Sequence, residues 1–91
     1  MKLHRLYVGL KDDEGNTYDV LDVSRIVSRY LNSFTIIPCQ GHEFGMPEPS
    51  CIVEVIAKYY TNLEAIVYIM GEIKREMNQR EVLHIIMNIN E

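Results

Sequence analysis

The chain has 91 residues, a formal net charge of −4, and 47% hydrophobic against 24% charged residues. That composition belongs to a folded globular chain rather than a disordered one, and its length suits one domain over residues 1–91 whose thin core association would help to stabilise. The acidic balance argues against a nucleic-acid polymer as partner, and no stretch approaches the roughly 20 apolar residues of a membrane span.

In chain order, Lys2 to Lys11 alternates and predicts a strand, with Leu6, Val8 and Leu10 on one face and Arg5, Tyr7 and Gly9 on the other. Asp12 to Asn16 reads as a turn. Apolar residues at 20, 23, 26, 27, 30 and 31 predict a helix from about Val20 to Asn32, with Asp19 as N-cap and Asp22 in the first turn. Phe34 to Ile37 is β-branched and aromatic, a strand that Pro38 marks as an edge strand or as ending there. Residues 39–50, CQGHEFGMPEPS, carry two Gly and two Pro and predict a projecting loop.

Ser50 to Tyr59 resumes as a central strand, with Cys51, Val53, Val55 and Ala57 on one face and Ile52, Glu54, Ile56 and Lys58 on the other. Thr61 and Glu64 match a capping box. It opens a helix from Asn62 to about Asn78 with the stripe Leu63, Ile66, Val67, Met70, Ile73 and Met77, in which Gly71 points to a close helix–sheet contact. Glu81 to Asn90 alternates as a closing strand, with Leu83, Ile85, Met87 and Ile89 assigned to the core.

The order β-α-β-β-α-β is the split βαβ, ferredoxin-like plan: an α+β fold with a four-stranded antiparallel sheet and both helices on one face. The other face then carries Arg5, Tyr7, Ile52, Glu54, Ile56, His84, Ile86 and Asn88. Its isoleucines suit a homo-oligomer interface. Arg5 offers a fork for carboxylate or phosphate, Tyr7 a ring and a hydroxyl, and His84 and Glu54 an acid and a base. A cross-strand ion pair between Arg5 and Glu54 is the structural alternative. RNA-recognition motifs share this plan but stack bases on aromatic residues, and Tyr7 is the one aromatic residue offered here.

Cys39, His42 and Cys51 raise a metal reading, with Glu43 or Glu48 as further donors. Structural zinc takes four ligands in characteristic pairs, and this chain has one pair and a stray cysteine, so neither metal nor cofactor is expected. Nucleophilic catalysis by Cys39 or Cys51 with His42 as base needs a thiolate that nothing in the sequence secures. Phosphate-loop, HExxH and GxSxG patterns are absent. The first fifteen residues do not read as a signal peptide, so a cytoplasmic setting with reduced thiols is expected.

Tyr7-Val8-Gly9-Leu10 before an acidic Gly turn, Phe34 to Ile37 running to Gln40-Gly41, Glu48-Pro49-Ser50, and Gln79 to Leu83 resemble a family of small uncharacterised bacterial proteins, a domain of unknown function. The resemblance implies the same βαββαβ plan and carries no activity and no catalytic residues. The leading expectation is a non-enzymatic oligomeric module that binds a small anionic metabolite or signalling nucleotide near Arg5, Tyr7, Glu54, His84, His42 and Phe44. Sequestration of that ligand, as by a phage-type small protein, fits this reading. The second expectation is a protein-binding inhibitor or adaptor using Phe44, Met46 and the acidic helix residues Glu64, Glu72 and Glu76. The third is a small enzyme with His84 or His42 as base in a dimer pocket.

Overall fold

The computed structural model describes residues 1–57 and 61–89, and of Thr61 and Asn62 the backbone alone. The predicted Thr61–Glu64 capping box, the Lys58 and Tyr59 end of the third strand and the Asn90 end of the last lie outside the described residues. The elements are β1 (Lys2–Gly9), α1 (Val20–Val27), β2 (Thr35–Glu43), β3 (Met46–Ala57), α2 (Thr61–Glu76) and β4 (Leu83–Asn88). All strand pairs are antiparallel, in the order β2-β3-β1-β4. This is the ferredoxin-like α+β plan read from the sequence.

Alternation along β1 and β3 buries Leu6, Val8, Cys51, Val53 and Val55 beneath the helices. Val23, Ile26 and Val27 of α1 and Ile66, Ile69, Ile73 and Met77 of α2 complete the core. Asp19 caps α1 as predicted: its side chain accepts from the Leu21 and Asp22 amides, while Asp22 accepts from the Asp19 amide. The helix ends earlier than its periodicity implied, at Val27.

The stripe of α2 is rotated from the predicted one. Ile69 is buried, whereas Leu63 and Val67 are exposed. Gly71 is exposed too, and a Cβ built there meets nothing within 4 Å. The expected close contact with the sheet is therefore absent at Gly71.

The predicted loop 39–50 is instead the distal part of a long β2–β3 hairpin, closed by Phe44 and Gly45. Both turn residues have positive φ, 51° and 76°, the mirror-image turn whose twist matches that of the strands. The prolines do not break the ladder because of where they fall. Glu43↔Met46 closes the turn, so hydrogen-bonded pairs alternate from there, and Pro47, Pro49 and Pro38 all occupy the intervening pairs, whose N–H groups point away from the partner strand. On its other side Pro49 offers its carbonyl to the Leu10 amide at 2.9 Å.

The closing strand faces the opposite way from the reading above. The pairs Leu6↔His84 and Tyr7↔Leu83 put His84, Ile86 and Asn88 on the helix side and Leu83, Ile85 and Met87 on the open side. The cause is Val82, buried in the core just before the strand, which by period-two alternation takes His84 and Ile86 to its own face.

Candidate functional site

The register arranges three adjacent rungs of the open face across the sheet, with Cys39, Ser50 and Gly9 forming a fourth beyond the first. The first is Ile37, Ile52, Tyr7 and Leu83, one residue from each strand. The second is Thr35, Glu54, Arg5 and Ile85. The third is Ile56, Leu3 and Met87 on the three strands that reach that far. A polar rung thus lies between two apolar ones. Leu83 and Ile56 are 60% and 59% exposed, and Ile37, Ile85 and Met87 also meet solvent.

Arg5 and Glu54 are direct cross-strand partners, and the Arg5 Nε donates to Glu54 Oε1 at 2.8 Å. The predicted ion pair is present. Tyr7 and Glu54 raise the Arg5 pKa above its ordinary value, so the cation is permanent. Beside Glu54 a shallow open groove of about 100 Å³ is lined by Ser33, Phe34, Thr35, Glu54 and Ile56. Arg5, Tyr7 and Glu54 are therefore brought together, with both donor and acceptor groups next to an apolar wall.

The other predicted site residues lie elsewhere. His42 and Phe44 sit at the hairpin tip. Met46 and Glu54 are eight positions apart along β3, which places the tip roughly 25 Å from the ion pair within one chain. Phe44 is 98% exposed.

His84 lies on the helix side, stacked on His4 with ring centroids 5.1 Å apart and the His4 Nδ1 2.9 Å from the His84 Nε2. Burial lowers both histidine pKa values, and His84 and Lys2 depress that of His4 further, so one neutral ring donates to the other. The sequence reading passed over His4. Its signal was parity, since it shares the alternate set of Leu6 and Val8.

Cys39 and His42 point to opposite faces of β2, and Cys51 is buried on the core side with its thiol pKa pushed up to about 11 by burial and by Cys39. Among the described residues no group of three or more His, Cys, Asp and Glu side chains is placed to hold a metal ion. The protonated Cys51 is no nucleophile near neutral pH.

The acidic helix surface is also committed within the chain. Glu72 and Glu76 both accept from Arg29, and Glu72 accepts from the Tyr30 hydroxyl at 2.6 Å. Of the three glutamates proposed to meet a basic partner, two are thus already paired with Arg29. No helix among the described residues is long and apolar enough to cross a membrane.

No protein-family model and no curated protein matches the sequence. Solved structures do match the fold. A phage SAM lyase in complex with S-methyl-5′-thioadenosine superposes with a TM-score of 0.74 at 18% identity, covering 94% of this chain and 79% of that one. The phage SAM lyase in its apo state gives 0.70 at 19%, covering 94% and 78%. A DUF3240 family protein from Shewanella baltica OS155 gives 0.64 at 11%, covering 99% and 91%. The chain is similar to all three in fold, and the last is a small bacterial protein of an uncharacterised family, the kind the sequence motifs resemble.

Proposed function

We propose that this chain is a self-associating binding module for a small nucleoside metabolite carrying a thioadenosine group. The observation that carries the reading is the polar rung of Arg5 and Glu54, with Tyr7 beside it, set in an otherwise apolar face that opens onto a groove. The groove itself is lined by Phe34, a ring on which a base stacks, an interaction worth about 1–3 kcal/mol. Arg5 and Glu54 neutralise one another, so the pair suits a neutral or zwitterionic ligand better than the anion expected from Arg5 alone. The fold likeness to a SAM lyase that binds S-methyl-5′-thioadenosine supports the ligand class.

Isothermal titration with S-methyl-5′-thioadenosine and with SAM tests this. Saturable binding is expected, weakened about 10-fold or more in Phe34→Leu and in Arg5→Ala, a loss of roughly 1.4 kcal/mol each. No heat at about 1 mM of either ligand would remove the proposal. The same likeness favours a second reading, that the chain cleaves SAM. Chromatography of SAM incubated with the protein separates the two, since release of S-methyl-5′-thioadenosine faster than in a protein-free control is expected of an enzyme and not of a binder.

A further inference from the structure

The open face is complementary to itself. A two-fold axis lying along the strands between β1 and β3 returns each rung onto itself in reverse order. Arg5 then stands over the partner's Glu54, and Tyr7 over the partner's Ile52. Met87 falls on the side of the partner where Ser33, Phe34 and Thr35 line the groove. A two-fold axis across the strands at this rung, or one along the strands over β1, would bring Arg5 onto Arg5, and one along the strands over β3 would bring Glu54 onto Glu54.

The area argues the same way. The exposed parts of Leu83, Ile56, Ile37, Ile85 and Met87 amount to on the order of 400 Å², the size of the largest apolar patch on a typical monomer, which is often functional. A standard interface takes roughly 800 Å² from each partner. Reaching that value requires the polar rung and both apolar rungs together, as sheets stacked face to face provide.

We propose that a second copy of this chain covers the open face, with Arg5 of each copy paired to Glu54 of the other. This rests on the reading of that face as the binding surface and supplies what the groove lacks, a roof from β4 of the partner. A charge pair in the middle of the patch sets the register and rejects unlike partners, while the apolar rungs supply most of the affinity.

The test needs no ligand, so its failure is distinct from failure of the titration above. Native mass spectrometry of the full chain at about 50 μM is expected to show a dimer. Ile56→Lys and Leu83→Lys alter positions already open to solvent in one chain, so both are expected to stay folded by circular dichroism and to associate at least about 10-fold more weakly. Arg5→Glu and Glu54→Arg are each expected to be monomeric alone and to form a 1:1 pair when mixed, resolved by mass. Repair of the ion pair within one chain cannot produce that pair. A monomeric native chain, association unchanged in both lysine variants, or mixed variants that pair no better than either alone would each overturn the proposal.

Discussion

Asp12 organises the turn between β1 and α1. Its carboxylate accepts from the Glu14 and Asn16 amides at 3.0 and 2.9 Å, from Asn16 Nδ2 at 3.0 Å and from the Tyr18 hydroxyl at 2.8 Å. Burial pushes its pKa up, but these four donors outweigh burial and bring it down to about 2. A pKa below the unfolded value means that the folded state binds fewer protons in acid. The resulting stabilisation is complete above about pH 4 and is lost as pH falls toward about 2. Thermal melts across that range are expected to show the native chain losing stability, and Asp12→Asn to melt lower at pH 7 with a flatter acid limb. The turn was legible from Gly15 and Asn16, but the role of Asp12 was not, because it depends on Tyr18 folding back. The Arg5–Glu54 pair was legible, since central strands with facing alternation put the two side by side. The His4–His84 contact was not, because it joins residues 80 apart through the face of β4.

At the scale of elements, Gly71 and Phe44 carry costs that their surroundings do not explain. Gly71 sits in the interior of α2 with open space where a Cβ would stand. Gly71→Ala is therefore expected to stabilise the chain by about 1 kcal/mol, a rise in melting temperature of roughly 4–8 °C. Phe44 holds a left-handed backbone conformation that favours Asn or Gly. Phe44→Asn is expected to gain up to about 1 kcal/mol, read as a higher urea midpoint at unchanged slope. Both elements were read in part. The α2 sequence carries apolar residues at 63, 67 and 70 as well as at 66, 69, 73 and 77, so its helix is plain while its buried side is decided only by the sheet. The hairpin was hidden because two Gly and two Pro within twelve residues resemble loop chemistry. Whether proline breaks a strand depends on which alternate pairs it occupies, and that follows only once the turn is fixed at Phe44-Gly45.

For the whole molecule, element order alone yielded the layer plan and the strand order, because right-handed crossovers leave few other ways to place the strands. The identity of the open face was half legible. The central strands β1 and β3 have one strictly apolar face each, and those faces are buried. β4 has large apolar residues on both sides, so its pattern was nearly silent, and the buried Val82 settled it. The result is a more apolar open face than the sequence implied, with Leu83, Ile85 and Met87 in place of His84, Ile86 and Asn88. The sheet also joins strands of very different separation in sequence. β2 and β3 meet across a two-residue turn, whereas β1 pairs with β4 from Lys2↔Asn88 to Tyr7↔Leu83. Closing a hairpin takes microseconds, while long-range pairing bears a loop-entropy cost that only later contacts repay. The order expected in time is that the hairpin comes early and supplies a template for β1 and that β4 docks last, so the face that carries Leu83, Ile85 and Met87 is completed only once the rest of the sheet is in place; φ-values higher in the hairpin than in β4 are the expected outcome.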